Sequence, residues 1–237
     1  MKKNFPVLTV FCLTLLPCTL VLAQEANTAT TPKPVNLFYR SVNEGSHLYN
    51  GTEYIMYDQH IKGFPYFGVA DLKGGSVLYD GTLYENVDML YDISTDQVVI
   101  RRYNEGVLMN LINEKLVYFK LLDHVFVNIV PDSNNTIVTK GFYDRLYNGK
   151  TIVYARRKKI VYEDQNTFEK SFIATDKYFI YKDGTWHAVS GQGDVLNVFK
   201  EKKKDISKYL RQNKIKFKKD PEYAMVKMAE YYDQLTH

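Results

Sequence analysis

The side chains that could do acid–base or metal chemistry are scattered along this chain. Its five histidines stand at positions 47, 60, 124, 187 and 237, with no HExxH motif and no pair at the spacing of a helical metal site. The sequence also lacks a GxSxG nucleophile motif and a glycine-rich phosphate loop. His187, beside Trp186, is interpreted as a partly buried sheet residue. We therefore predict a non-enzymatic protein with no catalytic, cofactor-binding or metal-binding residues.

Two short segments resemble parts of ligand-binding motifs. Residues 92–96, Asp-Ile-Ser-Thr-Asp, resemble a calcium loop, but the glycine and glutamate that such a loop needs are missing, so a solvated turn is favoured. Residues 191–194, Gly-Gln-Gly-Asp, precede a predicted helix, and a flexible joint explains them better than a nucleotide site. The carboxylates that could serve a glycosidase are Asp58, Asp80, Glu85 and Asp88, and nothing in the sequence brings two of them together.

A strongly basic segment is the clearest candidate for binding. Residues 200–219 contain ten lysines and arginines and two acidic residues, Glu201 and Asp205. One interpretation is an electrostatic docking face for an envelope protein or an anionic lipid surface. The other is a solvated helix face whose lysine stems cover apolar surface. The residues predicted to form the docking face are Lys202, Lys203, Lys204, Lys208 and Arg211.

The N-terminus has the pattern of an export signal. Lys2 and Lys3 precede the uncharged run 7–23, and we predict a signal peptide over residues 1–23 that is cut between Ala23 and Gln24. A retained anchor is the alternative, and a lipidated Cys18 is disfavoured by the proline before it. Cleavage would remove both cysteines, which excludes disulfides and thiolate metal sites. Export also makes a nucleic-acid partner improbable. Residues 24–36 are predicted to be a flexible leader.

Residues 37–190 are predicted to form an antiparallel β domain. The chain is 45% hydrophobic and 14% aromatic, with 20 tyrosines and 13 phenylalanines, and aromatic residues favour strands. Asn-Gly and Asp-Gly pairs that follow a Leu-Tyr or Tyr-Lys pair indicate two-residue hairpin turns. They end at Gly51, Gly81, Gly149 and Gly184. Short strands with short connections suggest a curved meander, a sandwich or a partly closed barrel.

Residues 191–237 are predicted to form a helical pair packed on the β domain, which makes the fold class α+β. Asp194 is a candidate N-cap, and Val195, Phe199, Ile206 and Leu210 have the spacing of one amphipathic helix. Asn213 is the expected left-handed stop of that helix. Asp220 and Pro221 predict the start of a second helix, whose buried face includes Met225, Met228, Ala229 and Tyr232.

Three segments resemble a family of uncharacterised exported proteins from Bacteroidota. They are GFYDRLYNGKTIVYARRKK at residues 141–159, FKEKKKDISKYLRQNKIKFKK at 199–219 and AEYYDQL at 229–235. The resemblance implies export and a periplasmic or outer-envelope location in a Gram-negative bacterium. It implies no activity and no catalytic residue.

Two functions are compatible with these patterns. The first is an envelope binding or accessory protein that contacts its partner through exposed tyrosines and the basic segment. The second is a carrier whose curved sheet encloses a lipophilic ligand. An enclosed apolar cavity of several hundred Å³ would favour the carrier, and a filled core would favour the binding protein.

Overall fold

A computed structural model describes residues 47–102, 106–133 and 135–236. The predicted signal peptide, its cleavage residues Ala23 and Gln24, the predicted leader and the first ten residues of the predicted β domain lie outside the described residues. None of the described helices is long and apolar enough to cross a membrane.

In the described part of the chain, eleven antiparallel strands form one sheet and a hairpin forms a second, two-stranded sheet. The strands are β1 Thr52–Glu53, β2 Lys73–Tyr79, β3 Thr82–Asp92, β4 Gln97–Arg101, β5 Leu108–Asn110, β6 Leu116–Leu121, β7 His124–Ile129, β8 Gly141–Asn148, β9 Ile152–Arg156, β10 Lys159–Glu163, β11 Lys170–Ala174, β12 Lys177–Lys182 and β13 Thr185–Val189. The order in the large sheet is β1-β5-β4-β3-β2-β6-β7-β8-β9-β12-β13. The predicted fold class, an antiparallel β region followed by helices, is confirmed.

The large sheet is strongly curved. Tyr91 on β3 and Phe142 on β8 are four strand positions apart, which corresponds to about 19 Å in a flat sheet. Their ring centroids are 6.0 Å apart, so the sheet curls until these strands face each other. Because β1 and β13 remain separate edges, the sheet is not closed into a barrel. The sheet is therefore curved and open, and it is a meander only in part, because β2 pairs with β6 and β9 pairs with β12.

Aromatic side chains fill the concave side of this curl. Tyr91, Phe119, Phe126 and Phe142 are fully buried. The Phe119 and Phe126 rings are stacked at 4.8 Å, and Tyr91 meets Phe126 edge-on at the same distance. Such packing contributes stability beyond the burial of apolar area. The four rings fill the space on the concave side of the sheet.

Two of the predicted hairpin turns are confirmed. Asp80 and Gly81 have φ values of 49° and 76°, and Asp183 and Gly184 have 48° and 76°. Positive φ at both central residues is the geometry of the two-residue turn that matches strand twist. These turns join β2 to β3 and β12 to β13.

A hairpin joins β8 to β9 at Gly149, as predicted, but its loop spans residues 149–151 and is not the predicted two-residue turn, whereas the turn predicted at Gly51 is wrong. Neither glycine has a positive φ, and each is required for a close approach instead. A Cβ at Gly149 would overlap the Tyr147 hydroxyl and the Asp233 carboxylate, and a Cβ at Gly51 would overlap the Asn110 carbonyl. The chain before Gly51 forms a 3-10 turn rather than a hairpin strand.

Three helices, rather than a pair, follow the sheet: α1 Gln192–Val198, α2 Lys203–Gln212 and α3 Pro221–Leu235. The single helix predicted through Phe199 is broken by a 3-10 turn at Lys200–Lys202. Even so, Val195, Phe199, Ile206 and Leu210 are all buried, as their spacing predicted.

The ends of the helices differ in part from the predictions. Gly191, not Asp194, is the N-cap of α1, and the Asp194 carboxylate accepts the Gly191 N–H at 3.1 Å. Lys214, not Asn213, has the left-handed conformation after α2, with φ 56°. The predicted start of α3 is confirmed, because the Asp220 carboxylate accepts the Tyr223 N–H at 3.0 Å.

Helix α3 is fixed to the sheet near both of its ends. Close to its C-terminus, the buried Asp233 carboxylate accepts the hydroxyl of Thr151 at 2.9 Å and the hydroxyl of Tyr147 at 3.0 Å. Burial and the Asp233 charge raise the pKa of Tyr147 to about 12. Close to its N-terminus, Glu222 binds Arg157, which follows β9.

Candidate functional site

The predicted docking residues are mostly exposed but do not form a cleft. Lys203, Lys204, Lys208 and Arg211 are exposed on α2, whereas Lys202 is half-buried in the preceding 3-10 turn. The Arg211 Nε donates to the Ser207 carbonyl at 3.3 Å. The structure therefore provides an open basic face, defined here as Lys203, Lys204, Lys208 and Arg211.

The segment predicted to be a solvated turn at residues 92–96 is a turn with a buried carboxylate. Asp92 is fully buried, and its carboxylate accepts the N–H groups of Ser94 and Thr95 and the Tyr54 hydroxyl at 2.8–3.1 Å. Asp96, at the other end of the segment, binds Arg156. Both acids are thus occupied by protein donors. Among the described residues, no group of three or more His, Cys, Asp or Glu side chains could hold a metal ion.

Histidine 124 forms a pair with a buried acid that the sequence did not indicate. Its Nδ1 lies 2.8 Å from Asp144 Oδ2, and Asp144 is fully buried. A carboxylate in this position orients the imidazole. Within the described residues, however, no hydroxyl side chain is hydrogen-bonded to His124, so the nucleophile of a catalytic triad is missing from this pair. His187 is half-buried on β13, as predicted.

Arg157 is part of a buried ionic cluster, and all of its N–H groups are used. It donates to Asp144 at 2.6 and 2.9 Å, to Asp176 at 3.0 Å, and to both carboxylate oxygens of Glu222 at 2.5 and 2.9 Å. Burial acts to lower its pKa, but the bonds to Glu222 and Asp144 outweigh burial and raise it. Since a guanidinium has five N–H donors, Arg157 has none left for a ligand.

Arg156, one residue earlier, retains free donors. Its Nη1 and Nη2 bind the two Asp96 oxygens at 2.8 and 2.7 Å, and Nη1 also donates to the Phe142 carbonyl at 2.5 Å. The guanidinium lies over the Tyr143 ring, 5.1 Å from its centroid. Two of its five N–H groups therefore have no hydrogen-bond partner in the described residues.

Arg156 lies in the wall of a cleft of about 960 Å³, which we name the arginine cleft. The cleft lies between the turn from β3 to β4 and the strands β8, β9, β12 and β13. Its cations are Arg156, Arg157, Lys158 and Lys177, against two carboxylates, Asp96 and Asp176. Tyr143, Tyr178 and Phe179 supply an aromatic wall, and Thr139, Thr175 and Ser190 supply hydroxyls. The arrangement suits an anion that also carries an apolar group.

Sequence reasoning missed the arginine cleft. The available signal was the basic run at residues 156–159, which begins at the last residue of the apolar strand β9. The acidic partners of its two arginines, Asp96 and Glu222, are 60 and 65 positions away, and no local pattern identifies them.

No protein-family model, curated protein or solved structure matches this chain. The resemblance to exported proteins of Bacteroidota therefore stays a prediction.

Proposed function

We propose that this chain is an exported, non-enzymatic binding or accessory protein of a Gram-negative envelope, and that it binds an anionic organic group in the arginine cleft. The observation that carries the proposal is the Arg156 guanidinium, which lines the cleft with two N–H groups free of protein partners. Lys158 and Lys177 lie in the same lining and are exposed. The support for export is the Lys-headed apolar run at residues 2–23.

The packing of the curved sheet favours a binding protein over a carrier. Tyr91, Phe119, Phe126 and Phe142 occupy the concave side where a carrier would hold a lipophilic ligand. The arginine cleft lies outside this core and is lined by charged and hydroxyl side chains together with its aromatic wall. A polar, open cleft of this kind suits a charged ligand.

The carboxylates of the cleft support binding rather than acid–base catalysis. Asp96 is held by Arg156 at 2.7 Å, and Asp176 by Arg157 at 3.0 Å. Both carboxylates are thus engaged by the guanidinium groups of the protein itself. These acids position the arginines instead.

The proposal is tested by titrating the protein with phenyl phosphate and with benzyl alcohol as the uncharged comparison. The single tryptophan, Trp186, lies 6.3 Å from Tyr143, which lines the cleft, so its fluorescence reports occupancy. We expect phenyl phosphate to bind and benzyl alcohol to bind much more weakly. The variant Lys158→Gln/Lys177→Gln should weaken phenyl phosphate binding at least about fivefold, because two charge contacts are lost.

The matched control is Lys203→Gln/Lys204→Gln, which removes the same charge from the basic face of α2. This variant should bind phenyl phosphate like the wild type. Equal binding by both double variants, or equal binding of the charged and uncharged probes, would reject the arginine cleft as an anion site.

A further inference from the structure

The two-stranded sheet has one strand edge without a partner in the described residues. Its strand β10 pairs only with β11. The outer side of β11 is already occupied, because Lys62 donates its N–H to the Lys170 carbonyl at 2.8 Å and accepts the Phe172 N–H at 3.0 Å. The outer side of β10 is therefore the open edge of this sheet.

The hydrogen bonds at the start of β10 show which of its backbone groups point outward. The Lys158 carbonyl accepts the Thr175 N–H on the β11 side at 2.8 Å, whereas the Lys159 N–H points the other way and donates to the Ile93 carbonyl at 3.2 Å. Backbone groups alternate in direction along an antiparallel strand. The residues whose N–H and C=O groups point outward, with no partner in the described residues, are Val161 and Glu163.

The side chains around this edge are apolar and exposed. Val161 and Tyr162 have 42% and 47% of their surface exposed. Ile160 lies opposite Ile173 in the hairpin, and both are also exposed. Natural proteins protect edge strands with charges, prolines or bulges, because an open apolar edge pairs readily with another strand. No such protection lies at the centre of β10.

The charges of β10 favour a second copy of the same strand in the antiparallel direction. The strand begins at Lys158 and Lys159 and ends at Glu163, which Asp164 follows. Antiparallel pairing of two identical strands sets the basic start of each against the acidic end of the other, and opposite charges across strands are stabilising. Parallel pairing would set like charges together.

The Lys159 ammonium group has one donor available for this contact. Its Nζ donates to the carbonyls of Phe64 and Tyr66 at 2.8 and 2.9 Å, and an ammonium group has three N–H donors. Burial lowers the pKa of Lys159. A carboxylate from a second copy would favour the charged form of this lysine.

We propose that two copies of this chain associate by antiparallel pairing of their β10 strands around a two-fold axis at Tyr162. The Lys159 N–H is already bound to Ile93, so the pairing is centred on Tyr162, with Val161 opposite Glu163 of the second copy. This register forms four backbone hydrogen bonds and brings the two Tyr162 side chains together on one face. Such a contact is isologous, which closes the assembly at two copies. The proposal does not depend on the arginine cleft.

The contact is small, which sets the concentration at which it forms. One strand from each copy and a few apolar side chains bury less surface than a permanent dimer requires, and contacts of this size are weak and transient. We expect the dimer to become populated between about 0.1 and 1 mM protein.

Sedimentation equilibrium over this concentration range tests the proposal. Val161→Pro removes an outward N–H and leaves the bonds between β10 and β11 in place, so it should weaken dimerisation at least about tenfold. Ala188→Pro is the matched control. Ala188 is exposed on β13, the free edge of the large sheet, and its N–H has no partner in the described residues either. This control should dimerise like the wild type.

Oxidative cross-linking tests the register in a Cys12→Ser/Cys18→Ser background. Two Tyr162→Cys side chains at the axis would have Cα atoms about 4.5 Å apart, within the range of a disulfide. Two Val161→Cys side chains would be about 8 Å apart, which is too far. We expect Tyr162→Cys to cross-link at least about fivefold more than Val161→Cys, which has a similar exposure.

Three results would overturn the proposal. The first is a wild-type protein that stays monomeric at about 1 mM, which would leave the β10 edge for a strand of another protein. The second is a Val161→Pro variant that keeps the wild-type melting temperature and dimerises as the wild type does. The third is equal cross-linking of Tyr162→Cys and Val161→Cys, which does not depend on whether the proline variant folds.

Discussion

Two adjacent arginines have different roles because they bind different partners. Arg157 uses all five N–H groups on Asp144, Asp176 and Glu222, so it holds the structure together. Arg156 uses three of its five N–H groups on Asp96 and a carbonyl. Removing Arg157 should therefore affect folding, whereas Arg156 combines a structural bond with donors for a ligand.

Gly149 provides a prediction at the residue scale. Gly149→Ala should destabilise the protein by about 1–3 kcal/mol, because the added methyl group overlaps the Tyr147 hydroxyl and the Asp233 carboxylate. In a Tyr147→Phe background the cost of Gly149→Ala should be smaller, since one of the overlapping atoms is gone. Urea denaturation of the four proteins of this cycle measures the non-additivity.

The control for Gly149 is Gly81→Ala, whose cost arises from its φ of 76° rather than from a neighbour. Its effect should add to that of Tyr147→Phe. If the effects of Gly149→Ala and Tyr147→Phe are also additive, the close approach is not the reason for glycine at position 149.

Single residues were predicted correctly where the cause is local. Asp80-Gly81 forms its hairpin turn because both positions tolerate positive φ, and Asp220 caps α3 through a bond within three residues. The conformation of Gly149 was predicted wrongly because its constraint comes from Asp233, 84 positions later, and from the Tyr147 hydroxyl that this carboxylate binds.

At the scale of elements, a 3-10 turn separates α1 from α2, but the apolar side chains predicted to lie on the buried face of a single helix are still buried. Phe199 lies at the break, and its ring stacks on Tyr232 of α3 at 4.4 Å. The apolar spacing through the break predicted which side chains are buried, but it did not reveal the 3-10 turn. The apolar spacing determines which side chains are buried, whereas the 3-10 turn depends on how the chain packs against α3.

Phe199→Ala should cost about 3–5 kcal/mol of unfolding free energy, because the ring is fully buried and its removal leaves a cavity. Chemical denaturation measures the loss. Phe168→Ala is the comparison, since Phe168 is 73% exposed at the tip of the β10–β11 hairpin, and it should change stability little. A small effect at Phe199 would show that the helices are not held to the sheet through this ring.

The basic face of α2 gives a second prediction for an element. Changing Lys203, Lys204 and Lys208 to glutamine should leave stability within about 0.5 kcal/mol, since exposed charges contribute little. The same variant should bind vesicles containing anionic lipid more weakly than the wild type, and raising the salt concentration should have the same effect. Vesicle co-sedimentation measures binding.

The matched control changes three exposed lysines on strands, Lys73, Lys120 and Lys170, to glutamine. If the basic face is a docking surface, this control should bind vesicles more strongly than the α2 variant. Identical binding by both variants and the wild type at low salt would leave the α2 lysines as a solvated surface.

At the scale of the whole molecule, the pairing of distant strands determines the fold. β2 pairs with β6 and β9 pairs with β12, although other strands intervene in the sequence. Turn signals predicted hairpins such as β2–β3 and β12–β13, but they carry no information about such long-range partners. The curvature that forms the arginine cleft follows from these pairings, so the cleft could not be predicted.

The bond between α3 and the sheet predicts how stability depends on pH. Burial acts to raise the pKa of Glu222, but the hydrogen bonds and charge of Arg157 outweigh it and lower the pKa below its ordinary value of 4.5. A carboxyl whose pKa is lower in the folded state stabilises the fold above its unfolded pKa. This contribution should be lost as the pH falls below about 4.5.

Glu222→Gln should reduce stability at pH 7 by about 1–3 kcal/mol, because charged hydrogen bonds to Arg157 are replaced by weaker ones. Its melting temperature should also fall less than that of the wild type between pH 5 and pH 3. Glu163→Gln, at an exposed strand position, should keep the wild-type profile. An unchanged acid slope in Glu222→Gln would show that this ion pair does not link α3 to the sheet.

The position of α3 also determines when the fold can form during synthesis. Every strand leaves the ribosome before α3, yet α3 supplies Glu222 to the buried Arg157 and Asp233 to Thr151. Until then the Arg157 guanidinium lacks the two Glu222 oxygens that pair with it in the complete fold. The described fold therefore reaches its final state only after the residues of α3 have been synthesised.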